Sequence, residues 1–141
     1  MNIVKVPYCL RVSEEEEIYS TLIRASSLSQ APCAPQTLRM MAQFSVLSRL
    51  RDPGEKSNLH SKMRAYDGES LKDVDPKAKA IQEYRDDAGV DEGMDGLSTR
   101  FAFKILSKTF NYSTNEVAIN PVHLMYVSRQ EILHLQHERE E

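Results

Sequence analysis

Gly96-Leu97-Ser98-Thr99-Arg100-Phe101-Ala102-Phe103-Lys104-Ile105-Leu106 marks where an acidic, glycine-punctuated loop turns into a helix. Gly96 ends the loop, and the Ser98 side chain can accept a hydrogen bond from a backbone N–H two or three residues on. Phe101, Ile105, Leu106 and then Phe110 recur at helical spacing and give the segment one apolar face. Arg100, Lys104 and Lys108 stand at i, i+4 and i+8, so one flank carries three positive charges. A cation in the first turn opposes the positive end of the helix dipole. Arg100 therefore calls for a negative partner. Two readings stand side by side: an internal salt bridge to Asp91 or Asp95, or a planar fork held out for a phosphate group.

Outward from this helix, the chain of 141 residues is long enough for one domain with a modest core. Hydrophobic residues make up 40% and charged residues 28%, the balance of a globular segment. A net charge of −3 argues against a nucleic-acid surface, which is normally basic. No apolar run approaches a membrane span, and the start has no charged-then-apolar leader pattern. Cys9 and Cys33 form no CxxC pair and read as reduced thiols of a cytoplasmic protein.

The pattern predicts a mostly α chain, a bundle of about five to six helices with a short orphan strand at the start. Ile3-Val4-Lys5-Val6 is β-branched and stopped by Pro7, and a lone strand needs neighbours, so the beginning reads as cut from something larger. Glu116 to Ile119 is the one other stretch that offers itself as a strand. Ser13-Glu14-Glu15-Glu16 reads as a capping box with a solvated acidic start, opening a helix that buries Ile18, Leu22 and Ile23. Pro35 fits the first position of a second helix through Leu38, Met41, Phe44, Leu47 and Leu50, with Arg39, Arg49 and Arg51 on its wetter sides. A short helix over Ser57 to Tyr66 ends at Asp67-Gly68. Asp75-Pro76 is a further cap-plus-proline start, with Ile81, Tyr84 and Ala88 buried and Gly89 as terminator. Asn120-Pro121 opens a last helix through Leu124, Val127, Ile132 and Leu135, and the tail 134–141 is charged and expected to fray.

Motifs exclude more chemistry than they supply. Asp86, Asp87, Asp91, Glu92 and Asp95 are an acidic cluster, but Gly93 breaks the calcium-loop pattern counted from Asp91. The cluster is expected to cap helices and balance Arg85, Arg100 or Lys104. His134 and His137 share a helix face without a third ligand in sequence. Arg85-Asp86 lacks the histidine of a kinase catalytic loop, Asp91 stands where its asparagine belongs, and no G-x-x-x-x-G-K-[ST] loop occurs. A second reading is a docking module that binds a partner through helical faces bearing Met40, Met41, Met63 and Met125.

The stretches IVKVPYCLRVSEE (3–15), QAPCAP (30–35), SKMRAYDGESLKDVDPKAKA (61–80), EYRDDAGVDEGMDGLSTRFAFKILS (83–107) and NPVHLMYV (120–127) together resemble a bacterial PrkA-type serine protein kinase. That family is built around an AAA+ nucleotide-binding module. The likeness runs from Ile3 to Val127, fades beyond Ser128, and leaves out Met1-Asn2. It implies that residues 3–12 are the last strand of a truncated AAA+ core and that 13–133 are the helical lid and adjoining region. It also implies that Arg100 in GLSTRF matches the lid arginine, often called sensor 2, that touches the terminal phosphate of the nucleotide, with Lys104 adding positive potential. ATP and Mg would belong to the full-length protein and none to this segment. Its partners would be the rest of the AAA+ core and the protein substrate of the parent kinase, with oligomers expected from AAA+ relatives. Alone, the segment is expected to show no kinase or ATPase activity, since it lacks the phosphate-binding loop.

Overall fold

A computed structural model describes residues 1–112 and 118–140. Six α-helices follow one another: α1 Val12–Arg24, α2 Thr37–Arg49, α3 Leu59–Tyr66, α4 Ile81–Ala88, α5 Thr99–Phe110 and α6 Pro121–Glu140. Short 3-10 turns lie at Ser27–Gln30 and Gly89–Asp91. α2 is the central helix, packed along α1 and touching α3, α5 and α6, while α5 lies against α6. The core joins Tyr19 of α1, Met41, Ala42 and Val46 of α2, Tyr84 of α4, Ala102, Ile105 and Leu106 of α5, and Leu124 of α6. The expected helical bundle is what forms.

Several local expectations are corrected. Ile3–Val6 makes no strand, and Ile3, Val4 and Val6 are 76%, 80% and 79% exposed. An extended segment becomes a strand only when a neighbour takes its N–H and C=O groups, and among the described residues none lies alongside. The β feature that does occur is an isolated parallel bridge between Cys33 and Ile119. Cys33 lies at the surface as a free thiol. Of the expected strand 116–119, residues 116 and 117 lie outside those described, and Ile119 makes this bridge.

Helix starts differ for reasons of hydrogen bonding. Ser13 does not cap α1. Its N–H and its hydroxyl both donate to Asp67 Oδ1, at 2.9 and 2.7 Å, so the acid beyond α3 holds the positive end of α1 instead. Gln36 adopts a left-handed φ of 70° after Pro35, which delays α2 to Thr37. Asp75 spends its carboxylate on the Lys77 N–H and the Ser61 hydroxyl, a local turn that postpones α4 to Ile81. Asn58, Ser98 and Asn120 do cap α3, α5 and α6 through their side chains. α6 stays helical through Glu140, including the charged end from His134 onward.

The buried face of α1 is not the apolar one. Val12, Glu15 and Tyr19 point inward, while Ile18 and Leu22 are exposed. Phe44 of α2 is likewise exposed and Arg49 is buried, the reverse of the expectation from residue type. One contact explains both inversions.

Candidate functional site

Glu15 and Arg49 form an ion pair at 2.8 Å with neither side chain accessible to solvent. Buried charges persist only when every donor and acceptor is met. The Arg49 fork donates Nη2 to Glu15 Oε1 at 2.8 Å, Nε to the Leu97 carbonyl at 2.7 Å and Nη1 to the Cys9 carbonyl at 2.8 Å. Glu15 also accepts from the Tyr19 hydroxyl at 2.7 Å and from the Thr99 hydroxyl at 3.1 and 3.2 Å. Burial alone would raise the Glu15 carboxyl, but the hydrogen bonds from Arg49, Tyr19 and Thr99 outweigh it and leave the pKa below the ordinary carboxylate value. Burial, with the Glu15 charge beside it, pushes the Tyr19 hydroxyl up.

This network fixes the approach to α5. Leu97 offers its N–H to Ser48 Oγ at 3.0 Å and its carbonyl to Arg49, so α2 holds both of its backbone groups. Gly96 makes that approach possible: its φ is 99°, and a Cβ there would lie 2.4 Å from the Ser48 carbonyl oxygen. Only glycine fits. Ser98 then accepts from the Phe101 N–H at 3.1 Å, and Thr99 is tied to Glu15. Arg100 follows three consecutive residues that are each fastened down.

Arg100 itself is exposed and makes no ion pair or hydrogen bond among the described residues. The expected bridge to Asp91 or Asp95 does not form. Asp91 instead faces Lys5 at 3.7 Å and Arg51 at 3.5 Å. Glu92, expected as part of a solvated cluster, is buried against Lys62 at 2.8 Å and accepts from the Arg51 N–H at 2.8 Å. The basic stripe of α5 is also uneven. Lys104 reaches Glu131 of α6 at 3.4 Å, and Lys108 hydrogen-bonds the same carboxylate. Glu131 is held below the usual carboxylate range chiefly by Lys108, with Lys104 adding to it. The uncommitted charge of the stripe is Arg100.

Among the described residues no three His, Cys, Asp or Glu side chains converge as a metal site. No helix among them is long and apolar enough to cross a membrane. Met40 and Met41 of α2 and Met125 of α6 line one groove of about 430 Å³, together with Phe44, Leu124 and Ile132. Met41 and Met63 are core, not surface.

Glu15, Arg49 and Thr99 were missed as site-forming residues. The signal was a phase relation. Arg49 continues the buried series Met41, Ala42, Ser45 and Val46 at helical spacing, and Glu15 sits between Val12 and Tyr19 in the same way. Opposite charges on two buried stripes of adjacent helices point to one pair.

The helical body carries an exposed arginine at a pinned helix start and is joined to the segment 1–11. Sequence comparison gives the class, AAA-type in its first part: the family model of the PrkA AAA domain matches residues 1–58, and that of the PrkA serine protein kinase C-terminal domain matches residues 60–141. The chain belongs to the PrkA family. It is 68% identical over 130 residues to the serine/threonine kinase YeaG of Escherichia coli K12, covering 92% of this chain and 20% of that protein. It is 41% identical over 113 residues to the ATP-dependent protease PrkA of Bacillus subtilis 168, covering 76% of this chain and 17% of that protein. The chain thus spans about a fifth of the length of the curated relatives it matches. No solved structure matches it significantly. Arg100 lies in the part matched by the C-terminal model, yet Glu15, Ser48 and Arg49, which fasten its turn, lie in the part matched by the AAA model.

Proposed function

We propose that this chain is a nucleotide-sensing helical lid of an ATP-dependent serine protein kinase, and that Arg100 reads the terminal phosphate of bound ATP. The observation that carries the reading is the state of Arg100: an exposed guanidinium without a partner among the described residues, on a helix start held by buried hydrogen bonds. A planar, permanently charged fork suits a phosphate, and a pre-set aim lowers the cost of making the contact. Lys104 adds positive potential at longer range, partly offset by Glu131. The two relatives, a serine/threonine kinase and an ATP-dependent protease, support an ATP-using parent.

The residues present fit one phosphate contact rather than a whole nucleotide site, because no phosphate-cradling glycine loop occurs in the sequence. ATP with Mg supplies the transferable phosphoryl group when bound to the rest of the AAA core. The role of this chain is to close over that phosphate, so that lid closure is rewarded only when it is present. Its immediate partner is the remainder of the AAA core, and its effect on the protein substrate is indirect.

Replacing Arg100 with alanine in the full-length protein tests this. The expected result is at least a tenfold loss of ATP affinity with ADP affinity and melting temperature nearly unchanged, a loss typical of one charge-assisted contact. An unchanged ATP affinity overturns the reading. A docking module is the second reading, favoured by the groove that Met40, Met41 and Met125 share between α2 and α6. Loss of partner capture with nucleotide binding intact in a Met125→Glu variant selects it.

A further inference from the structure

The Arg49 guanidinium meets three acceptors, each 34 or more residues away from it in sequence. Cys9 belongs to the extended segment ahead of α1, Glu15 to α1, and Leu97 to the loop entering α5. Three bonds from one planar group fix the relative placement of all three segments, which an ammonium on a flexible stem does not do. The Tyr8 ring lies 5.3 Å from the same guanidinium, and the Tyr8 N–H donates to the Gly93 carbonyl at 2.9 Å. The segment around Tyr8 and Cys9 is therefore linked to both ends of the 93–99 loop. Thr99 completes the arrangement by sharing its hydroxyl between the two Glu15 oxygens.

We infer that Arg49, through Glu15 and Thr99, is a positioning residue that aims Arg100. The inference rests on the reading that Arg100 meets a phosphate. Glu15 and Arg49 cancel in charge, so the pair adds little net field at Arg100 and acts by geometry. Two of its partners, Leu97 and Thr99, stand just before Arg100. Movement of the Tyr8–Cys9 segment is thereby transmitted to the turn that carries Arg100, and the preference for ATP over ADP depends on the network as well as on the arginine.

Thr99 gives the cleanest test, because changing it leaves the ion pair intact. The measurement is the affinity of the full-length protein for MgATP and for MgADP by calorimetry, with thermal melting in parallel. Thr99→Val is expected to cut the ATP-over-ADP preference about tenfold, the effect of one lost hydrogen bond to a charged group, and Thr99→Ser to restore it. In an Arg100→Ala background, Thr99→Val is expected to cost no further preference, because the two act as one unit. Should the valine variant fail to fold, Thr99→Ala carries the same expectations. If Arg100→Ala leaves the preference unchanged, the phosphate reading itself falls. If Arg100→Ala lowers the preference while the Thr99 variants do not, or if the two losses add independently, positioning alone is overturned.

Discussion

Glu15–Arg49 and Lys62–Glu92 are two buried ion pairs built from the same kinds of charge, and each has its closest contact at 2.8 Å. Both satisfy buried backbone groups, yet they do different work. Lys62 donates to the Arg51 carbonyl and to Glu92, whose other oxygen takes the Arg51 N–H, so that pair serves one segment. Arg49 reaches three segments, and the last of them leads directly to Arg100. An ammonium closes a local gap, whereas a guanidinium can set the mutual geometry of distant parts. The contrast separates holding a loop in place from aiming what the loop carries.

The sharpest way to break the comparison is to remove each cation in turn. Arg49→Met leaves Glu15 charged and buried and frees two backbone carbonyls, so unfolding stability is expected to fall by about 3–5 kcal/mol. Lys62→Met is expected to cost about 3 kcal/mol, at the lower end because Glu92 keeps the Arg51 N–H and lies nearer solvent. Chemical denaturation of both variants checks the order. Equal losses, or a larger loss at Lys62, would remove the distinction drawn between hub and local clasp. Where the Lys62 variant folds, its preference for ATP over ADP in the full-length protein is expected to match that of the unchanged protein.

Acid sharpens the same contrast. The Glu15 pKa lies below its ordinary value in the folded chain, so the unfolded chain binds more protons across the window between the two. The stability from Glu15 is fully present above the ordinary carboxylate value, about 4.3, and is lost as pH falls through the folded one. Denaturation midpoints measured from neutral pH downward should therefore drop more steeply in the unchanged chain than in a Glu15→Gln variant. Glu131 shifts in the same direction, and comparing the two chains subtracts its share. Parallel pH slopes would mean that Glu15 is not what the folded state holds ionised.

Where the residues carried a periodic apolar signal or a side-chain cap, the helices were legible: α5 starts behind Ser98 and α6 behind Asn120 as their residue types demand. α1 shows where that logic fails. Its acidic first turn fits a solvated helix start, but a neighbouring helix offers a guanidinium in phase with Glu15, and pairing buries both. No property of Ser13 to Glu16 taken alone contains that information, because the partner is 34 residues away. Asp67 likewise displaced a capping serine across 54 residues. The expected strand at Ile3–Val6 was read from propensity, which reports what a pleated, half-buried surface would accept and not whether such a surface is there. The exposed first-turn position of Arg100 is readable from GLSTRF, whereas Glu15 and Arg49, which hold its turn, lie far from it in sequence.

The smallest effect separates the two ends of the α5 stripe. Arg100, Lys104 and Lys108 look equivalent in sequence, but Glu131 of α6 gathers the two lysines and leaves the arginine out. Both lysine side chains are about half exposed, where an ion pair contributes little because water and salt screen it. Lys104→Ala is therefore expected to change unfolding stability by less than about 1 kcal/mol. Its effect on ATP affinity in the full-length protein should be no more than about threefold, and it should shrink as salt is raised from low to physiological ionic strength. The loss at Arg100 should persist over the same range, since a fork in direct contact with a phosphate is less screened than a charge acting through solvent. If Lys104→Ala instead matched Arg100→Ala at every salt concentration, the stripe would be acting as one basic surface, and the separate place given to its first member would be lost.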